Sequence, residues 1–172
     1  YRLTGVDTER ISTHAIEQAW QMYLVVSDTS CFAYTWNGHK FIVFNFVTAN
    51  RTWVYDIATR LWHERESRNV LNQDLGRWAG SCSAAVYNKV FIGDAFSGKV
   101  GYLSDTTYNE FGNEMIASAT SPPIHANMEE FQIAKFQLDM QKGVGLTSGQ
   151  GSDPQVMLDI SDDGGMTWST PQ

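Results

Sequence analysis

Residues 31–65 read CFAYTWNGHKFIVFNFVTANRTWVYDIATRLWHER, and this stretch carries the clearest signal of the fold. Aromatic and β-branched residues, which favour strands, alternate there with clusters of turn residues. The pair Asn37-Gly38 predicts a tight hairpin, because a type I′ turn needs two residues that accept positive φ, and Asp56 begins a later turn. Four antiparallel strands joined by such short loops form a meander sheet the size of a propeller blade. We predict strands over residues 31–36, 39–46, 51–55 and 60–64.

The same plan recurs about fifty residues later in the chain. Residues 30–37 align without gaps on residues 81–88, and the two segments share serine, cysteine, alanine and asparagine. If they are equivalent strands of successive blades, Cys31 and Cys82 occupy corresponding places, and we expect both thiols to be buried. Chance similarity is the alternative for so short a match. The second unit continues with a predicted turn over residues 94–98, a strand over 99–103 and an outer strand over 115–119.

The C-terminal part of the chain predicts two more strands, over residues 129–140 and 155–160, followed by a hairpin. That hairpin carries the pattern Ser-x-Asp-x-Gly-x-Thr-Trp, called an Asp box. We expect Asp163 to accept hydrogen bonds from turn amides and the last residue of the pattern to pack on its own hairpin, so Asp163 is a structural residue and not a catalytic one. The pattern comprises Ser161, Asp163, Gly165 and Trp168.

The predicted fold is all-β: a partial propeller of about three antiparallel four-stranded blades, with one short helix near residues 13–20. Approximate blade units run over residues 22–66, 79–121 and 122–172. We interpret the whole as a single β domain. We also interpret the chain as a fragment of a longer protein, because it begins without methionine.

Composition and charge exclude several classes of function. The net charge is −7, and the twelve basic residues are scattered without a basic run, so we expect no strong direct binding to nucleic acid. No apolar run approaches the roughly 20 residues of a membrane span, so we expect no membrane insertion.

The sequence shows no motif typical of a catalytic, phosphate-binding or metal site. The four histidines show no metal-ligand spacing, Gly143-Val144-Gly145 lacks the lysine of a phosphate loop, and there is no nucleophile elbow. We therefore predict no catalytic, cofactor-binding or metal site and no enzymatic activity. Sugar stacking on exposed tryptophans is the alternative. The candidates for such platforms are Trp36, Trp53, Trp62 and Trp78.

Four segments in order along the chain, residues 10–17, 37–39, 52–64 and 161–165, resemble the packaged-DNA stabilisation proteins of short-tailed phages. These are tail accessory, or hub, proteins of the portal vertex. The resemblance implies a propeller-like domain in a homo-oligomeric ring that closes the portal and retains packaged DNA. It also implies contacts with the portal and other tail accessory proteins, residence in the virion, and synthesis in the host bacterial cytoplasm.

Two other interpretations remain open from the sequence alone. The Asp box also occurs in sialidase-like and glycan-binding propellers, although a sialidase needs an arginine cluster with a tyrosine and glutamate pair. Residues 56–62 resemble a kelch repeat, which favours a cellular interaction domain.

Overall fold

The computed structural model describes residues 1–69, 71, 73–125, 132–139, 148, 152 and 155–169. The chain divides into two compact units, Tyr1–Met115 and Ile116–Gln172. In chain order, the helices and strands of the described residues are β1 (Arg2–Thr4), β2 (Asp7–Glu9), α1 (His14–Gln21), β3 (Ser30–Trp36), β4 (His39–Phe46), β5 (Arg51–Asp56), β6 (Leu61–Arg65), β7 (Gly80–Val86), β8 (Lys89–Asp94), β9 (Val100–Tyr102), β10 (Asn109–Glu110) and β11 (Asn113–Glu114).

Two antiparallel sheets form the body of the first unit. The first sheet has strand order β3-β4-β5-β6, and the second has order β7-β8-β9. The hairpins β1-β2 and β10-β11 are the two smaller sheets. The predicted all-β fold is confirmed, and each predicted strand of the first sheet matches the observed one to within one residue at either end.

The first hairpin forms where the sequence predicted it. Trp36 pairs with His39, and the two residues between them have positive φ: 49° at Asn37 and 83° at Gly38. A two-residue loop between strands with a right-handed twist needs positive φ at both of its residues, and Asn37 and Gly38 meet this requirement.

The core lies where one face of the first sheet meets the second sheet. Val43 and Val54, in the middle of the first sheet, have no exposed surface. Burying a side chain of this size stabilises the fold by roughly 1.5–3 kcal/mol. We call this face of the first sheet its inner face. The buried apolar residues of the core are Tyr34, Val43, Val54, Trp78, Val90 and Ile92, with Phe32, Trp36, Phe41 and Leu103 at the margin.

A buried polar network ties the first sheet to the segment that enters the second. The Thr52 hydroxyl donates to Oδ1 of Asn45 (2.6 Å) and accepts from the backbone N–H of Trp78 (3.0 Å). The Asn45 amide in turn donates to the carbonyl of Gly80 (2.7 Å). Because Asn45 and Thr52 are buried, losing any of these bonds would leave a polar group unpaired away from water.

Helix α1 packs on the opposite, outer face of the first sheet, and the prediction of a short N-terminal helix is confirmed. Thr13 caps it, with Oγ1 accepting from the N–H of Ile16 (3.4 Å). The Trp20 ring then lies among three aromatic rings of the sheet, with centroids 5.3–6.0 Å away. These rings belong to Phe44, Phe46 and Trp62.

The outer strand predicted over residues 115–119 is wrong, and the second sheet has three strands. The hairpin β10-β11 supplies the reason. Phe111, in its turn, packs so closely on Gly101 of β9 that a Cβ there would lie 2.8 Å from the ring. The chain after β9 therefore covers this strand with an aromatic side chain instead of returning as a fourth strand.

The expected burial of both cysteines is also wrong, since Cys31 and Cys82 are exposed. Both lie in the first strand of their sheet, as predicted, but the ungapped alignment is shifted by one residue. Asn37 is the first turn residue of its hairpin, whereas Asn88 is the second. A one-residue slip exchanges the two faces of a strand. Cys31, which pairs with the outer-face residue Phe44, lies on the outer face of the first sheet, and Cys82, which pairs with Gly93, lies on the face of the second sheet that points away from the core.

The strands predicted in the C-terminal part are not found in the residues that the structure describes. Residues 132–139 and 155–160 contain no strand, and their apolar side chains are largely exposed. Alternation of apolar and polar residues predicts only which face a strand would bury. A strand also needs a neighbouring backbone to pair with. The remainder of the first prediction, residues 129–131 and 140, lies outside the described residues.

Candidate assembly surfaces

The predicted blade turns meet at one end of the first sheet. His39 Nδ1 lies 2.7 Å from Oδ2 of Asp56, which also accepts from the Thr59 hydroxyl (2.8 Å), while Oδ1 accepts from the N–H of Ala58 (2.9 Å). Burial alone would raise the pKa of Asp56, but the bonds from Thr59, His39 and Ala58 outweigh it and lower the pKa to about 2. The carboxylate thus fixes the turn between β5 and β6 to the start of β4.

Arg65, at the end of β6, is a half-buried residue that packs against the core, and no spacing in the sequence predicted this contact. Its guanidinium carbon lies 4.9–5.6 Å from the ring centroids of Tyr34, Phe41 and Trp78. A guanidinium over aromatic faces is stabilised by the ring quadrupoles. It also donates to the Tyr34 hydroxyl and, through Nε, to Nε2 of His63 (3.2 Å). Burial, followed by the charge of Arg65, lowers the pKa of His63.

The C-terminal pattern forms a turn organised by Asp163. Oδ1 accepts from the N–H groups of Met166 (2.9 Å) and Thr167 (2.8 Å), and Oδ2 accepts from the Thr167 hydroxyl (2.6 Å). The Thr167 side chain contributes most to lowering the pKa of Asp163 well below its usual range. Ser161 joins the same turn, since its hydroxyl accepts from the N–H of Gly165 (2.7 Å).

Trp168 is less buried in this turn than a core tryptophan. Its ring lies 3.7 Å from where a Cβ on Gly165 would stand, but 50% of the residue is exposed. The identification of the turn as an Asp box stays a prediction.

The four candidate sugar platforms are divided between two faces of the first sheet and do not form one surface. Trp36 and Trp78 belong to the core between the sheets. On the outer face, Trp62 Nε1 donates to the carbonyl of Ile11 (2.8 Å) and Trp53 Nε1 to the Tyr23 hydroxyl (2.9 Å). Packing and hydrogen bonds within the fold therefore account for these rings.

No group of three or more histidine, cysteine, aspartate or glutamate side chains within the described ranges gathers as a metal site requires. In the same part of the chain, no helix is long and apolar enough to cross a membrane.

One exposed apolar surface is the outer face of the second sheet. Lys89 carries its one charged group, and the ammonium lies 3.8 Å from the ring centroid of Tyr102. In the register of this sheet the neighbouring side chains are small or apolar. They are Cys82, Ala84, Val86, Phe91 and Val100.

A second apolar surface lies beside α1. An open groove of about 620 Å³ separates the end of the helix from β4 and from the segment that leads to β3. Aromatic rings form much of its wall, and sequence patterns did not reveal it because it joins residues from three elements. The lining residues are Glu17, Trp20, Gln21, Tyr23, Val26, Thr29, Phe44 and Phe46.

Comparison with known proteins identifies one family. The model of the phage-stabilisation family, described as bacteriophage P22 Gp10, β-propeller, matches residues 1–108 of the 172. No curated protein and no solved structure matches the chain.

Proposed function

We propose a specific role in the virion for this chain, which belongs to the phage-stabilisation family of β-propeller proteins. The match includes both packed sheets and α1, so family and fold are carried by the same residues. A phage structural protein acts through the surfaces that it presents to neighbouring virion proteins.

The proposed role is to close the portal vertex and retain the packaged DNA. The chain assembles with the portal and with other tail accessory proteins, as part of a homo-oligomeric ring in the virion, after synthesis in the host bacterial cytoplasm. The family match carries this proposal. The net charge of −7 supports closure by contacts between proteins and not by binding to DNA. An acidic chain gains little from binding phosphates, so retention depends on blocking the exit through protein contacts.

The packing of the first unit suits a plug that must resist pressure from DNA. The two sheets are joined by an aromatic core, by the stacked Arg65 and by the buried bonds of Thr52. Such a close-packed interior deforms little under load. The proposal includes no enzymatic activity.

Co-assembly with purified portal rings tests this function. The chain should sediment with the rings of its own phage in a fixed ratio and appear as density at the ring opening in electron micrographs. Portal rings from an unrelated phage are the control and should not bind. Absence of binding to its own portal would contradict the proposal, and binding to a glycan array in its place would favour the carbohydrate-binding alternative.

A further inference from the structure

We infer that His63 is an acid-sensitive latch on Arg65: the neutral histidine holds the guanidinium against the core, and protonation of the histidine releases it. Release loosens the contact between the first sheet and Trp78, which lies at the entrance to the second sheet. The inference goes beyond the proposed role in the virion and does not depend on it.

The hydrogen bond between Arg65 and His63 can form in only one protonation state of the histidine. Arg65 Nε lies 3.2 Å from His63 Nε2, and a guanidinium keeps its protons in proteins, so Nε is always the donor. His63 Nε2 must therefore accept, which places the single proton of the neutral ring on Nδ1. A doubly protonated His63 would turn an N–H toward an N–H and a positive charge toward another, so this bond is lost in acid.

His39 provides a contrast on the same face of the sheet. Both histidine rings contact Phe41, with centroids 5.8 Å away for His39 and 6.1 Å away for His63. His39 Nδ1 meets the Asp56 carboxylate at 2.7 Å, and a carboxylate is a partner that suits the protonated ring. Protonation therefore favours the contact of His39 and breaks the contact of His63.

The electrostatics of the site agree with this geometry. Burial, followed by the charge of Arg65, lowers the pKa of His63 below its ordinary value of 6.5, while the charge of Asp56 opposes the shift. The stability that neutral His63 contributes is therefore complete above pH 6.5 and is lost as the pH falls through the lowered pKa. Among the described residues, the other titratable groups of the strands around this contact are Tyr34, His39 and Glu110.

Release of Arg65 has a structural consequence because its guanidinium bridges two parts of the first unit. The guanidinium carbon lies 5.6 Å from the ring centroid of Tyr34 and 5.3 Å from that of Phe41, both in the first sheet. It lies 4.9 Å from the ring centroid of Trp78, in the segment that enters the second sheet. When a second positive charge appears on His63, repulsion moves the guanidinium away from these rings, and the cation–π contact across the joint is lost.

The experiment is an NMR titration of the full 172-residue chain from about pH 8 to about pH 5, the range in which histidine charge changes. It follows the ring nitrogens of His63 and the Nε–H signal of Arg65 in the same samples. At the start of the titration, His63 should carry its proton on Nδ1. The Arg65 signal should then shift with the same midpoint as the protonation of His63, and that midpoint should lie below 6.5.

His63→Gln keeps an acceptor for Arg65 at every pH, so the Arg65 signal of this variant should not titrate. His39→Gln is the matched control, because it removes the other histidine in contact with Phe41, and the Arg65 signal should still titrate as in wild type. The urea midpoint should fall more between about pH 7 and about pH 5 in wild type than in His63→Gln.

Far-ultraviolet circular dichroism checks that each variant is folded. An Arg65 signal that stays unchanged while His63 of wild type titrates would overturn the inference, and so would a His63 midpoint at or above 6.5. Both results come from wild type, so they decide the matter even where a variant does not fold.

Discussion

Replacing Thr52 with valine is the sharpest test of how the two sheets are joined. The substitution keeps the shape of the side chain but removes the hydroxyl, which donates to Asn45 and accepts from Trp78. Two buried polar groups, Oδ1 of Asn45 and the N–H of Trp78, lose that partner. Each buried group left unsatisfied costs about 1–3 kcal/mol, so we expect the free energy of unfolding to fall by about 2–6 kcal/mol.

Urea unfolding followed by tryptophan fluorescence measures this loss. The midpoint should fall while the m-value stays unchanged, because the surface exposed on unfolding is the same. Thr35→Val is the control, since Thr35 lies in β3 but is exposed, and it should change stability by less than about 0.5 kcal/mol. Asn45→Ala combined with Thr52→Val should cost less than the sum of the two single changes, because the residues share a bond. A Thr52→Val protein as stable as wild type would refute the buried network.

Three further predictions concern charge and exposure. Asp56 has a pKa of about 2, below the ordinary carboxyl value of 3.8, so the stability it contributes should be complete above about pH 4 and lost as the pH falls toward 2. In a plot of unfolding free energy against pH, Asp56→Asn should flatten this acidic part. A plot for Asp56→Asn that matches wild type would contradict the turn contacts. The pKa of Asp163 is also lowered, so the NMR signals of the amides in its turn should keep their chemical shifts down to about pH 4 and move only in stronger acid. Movement of these signals centred at the ordinary carboxyl pKa would show that the hydrogen bonds to Asp163 are not formed. Cys31 and Cys82 should both react with a thiol reagent in the native state. Cys31 should react more slowly, because desolvation raises its pKa. Protection of both thiols until the protein unfolds would contradict their exposure.

The first sheet was predictable because its information is local. Each strand is bounded by turn residues such as Asn37-Gly38, and both turn type and strand register follow from those few positions. The second sheet was less predictable because an alignment error of a single residue changes the face of the strand on which each side chain is expected. The serine, cysteine and asparagine shared by residues 30–37 and 81–88 suggested an ungapped match, but Asn37 is the first residue of its turn and Asn88 is the second. The two segments are therefore not equivalent residue by residue, and the alignment did not predict that both thiols are exposed.

The assembly surfaces depend on tertiary contacts that no sequence window contains. Arg65 has the sequence context of an ordinary charged strand end, yet its guanidinium lies over the ring of the buried Trp78. The groove beside α1 joins the helix to β4, more than twenty residues along the chain. A helix pattern predicts the amphipathic face of α1 but not which sheet face it covers.

Closure of the portal vertex is tested most directly by DNA retention in capsids that are packaged to completion but lack their tail accessory proteins. Nuclease-accessible DNA is measured as the purified chain is added. We expect accessible DNA to fall in a saturable manner, with saturation at a fixed number of chains per portal vertex. Complete DNA loss at every concentration, from capsids whose portals are shown to carry the bound chain, would contradict the proposed closure.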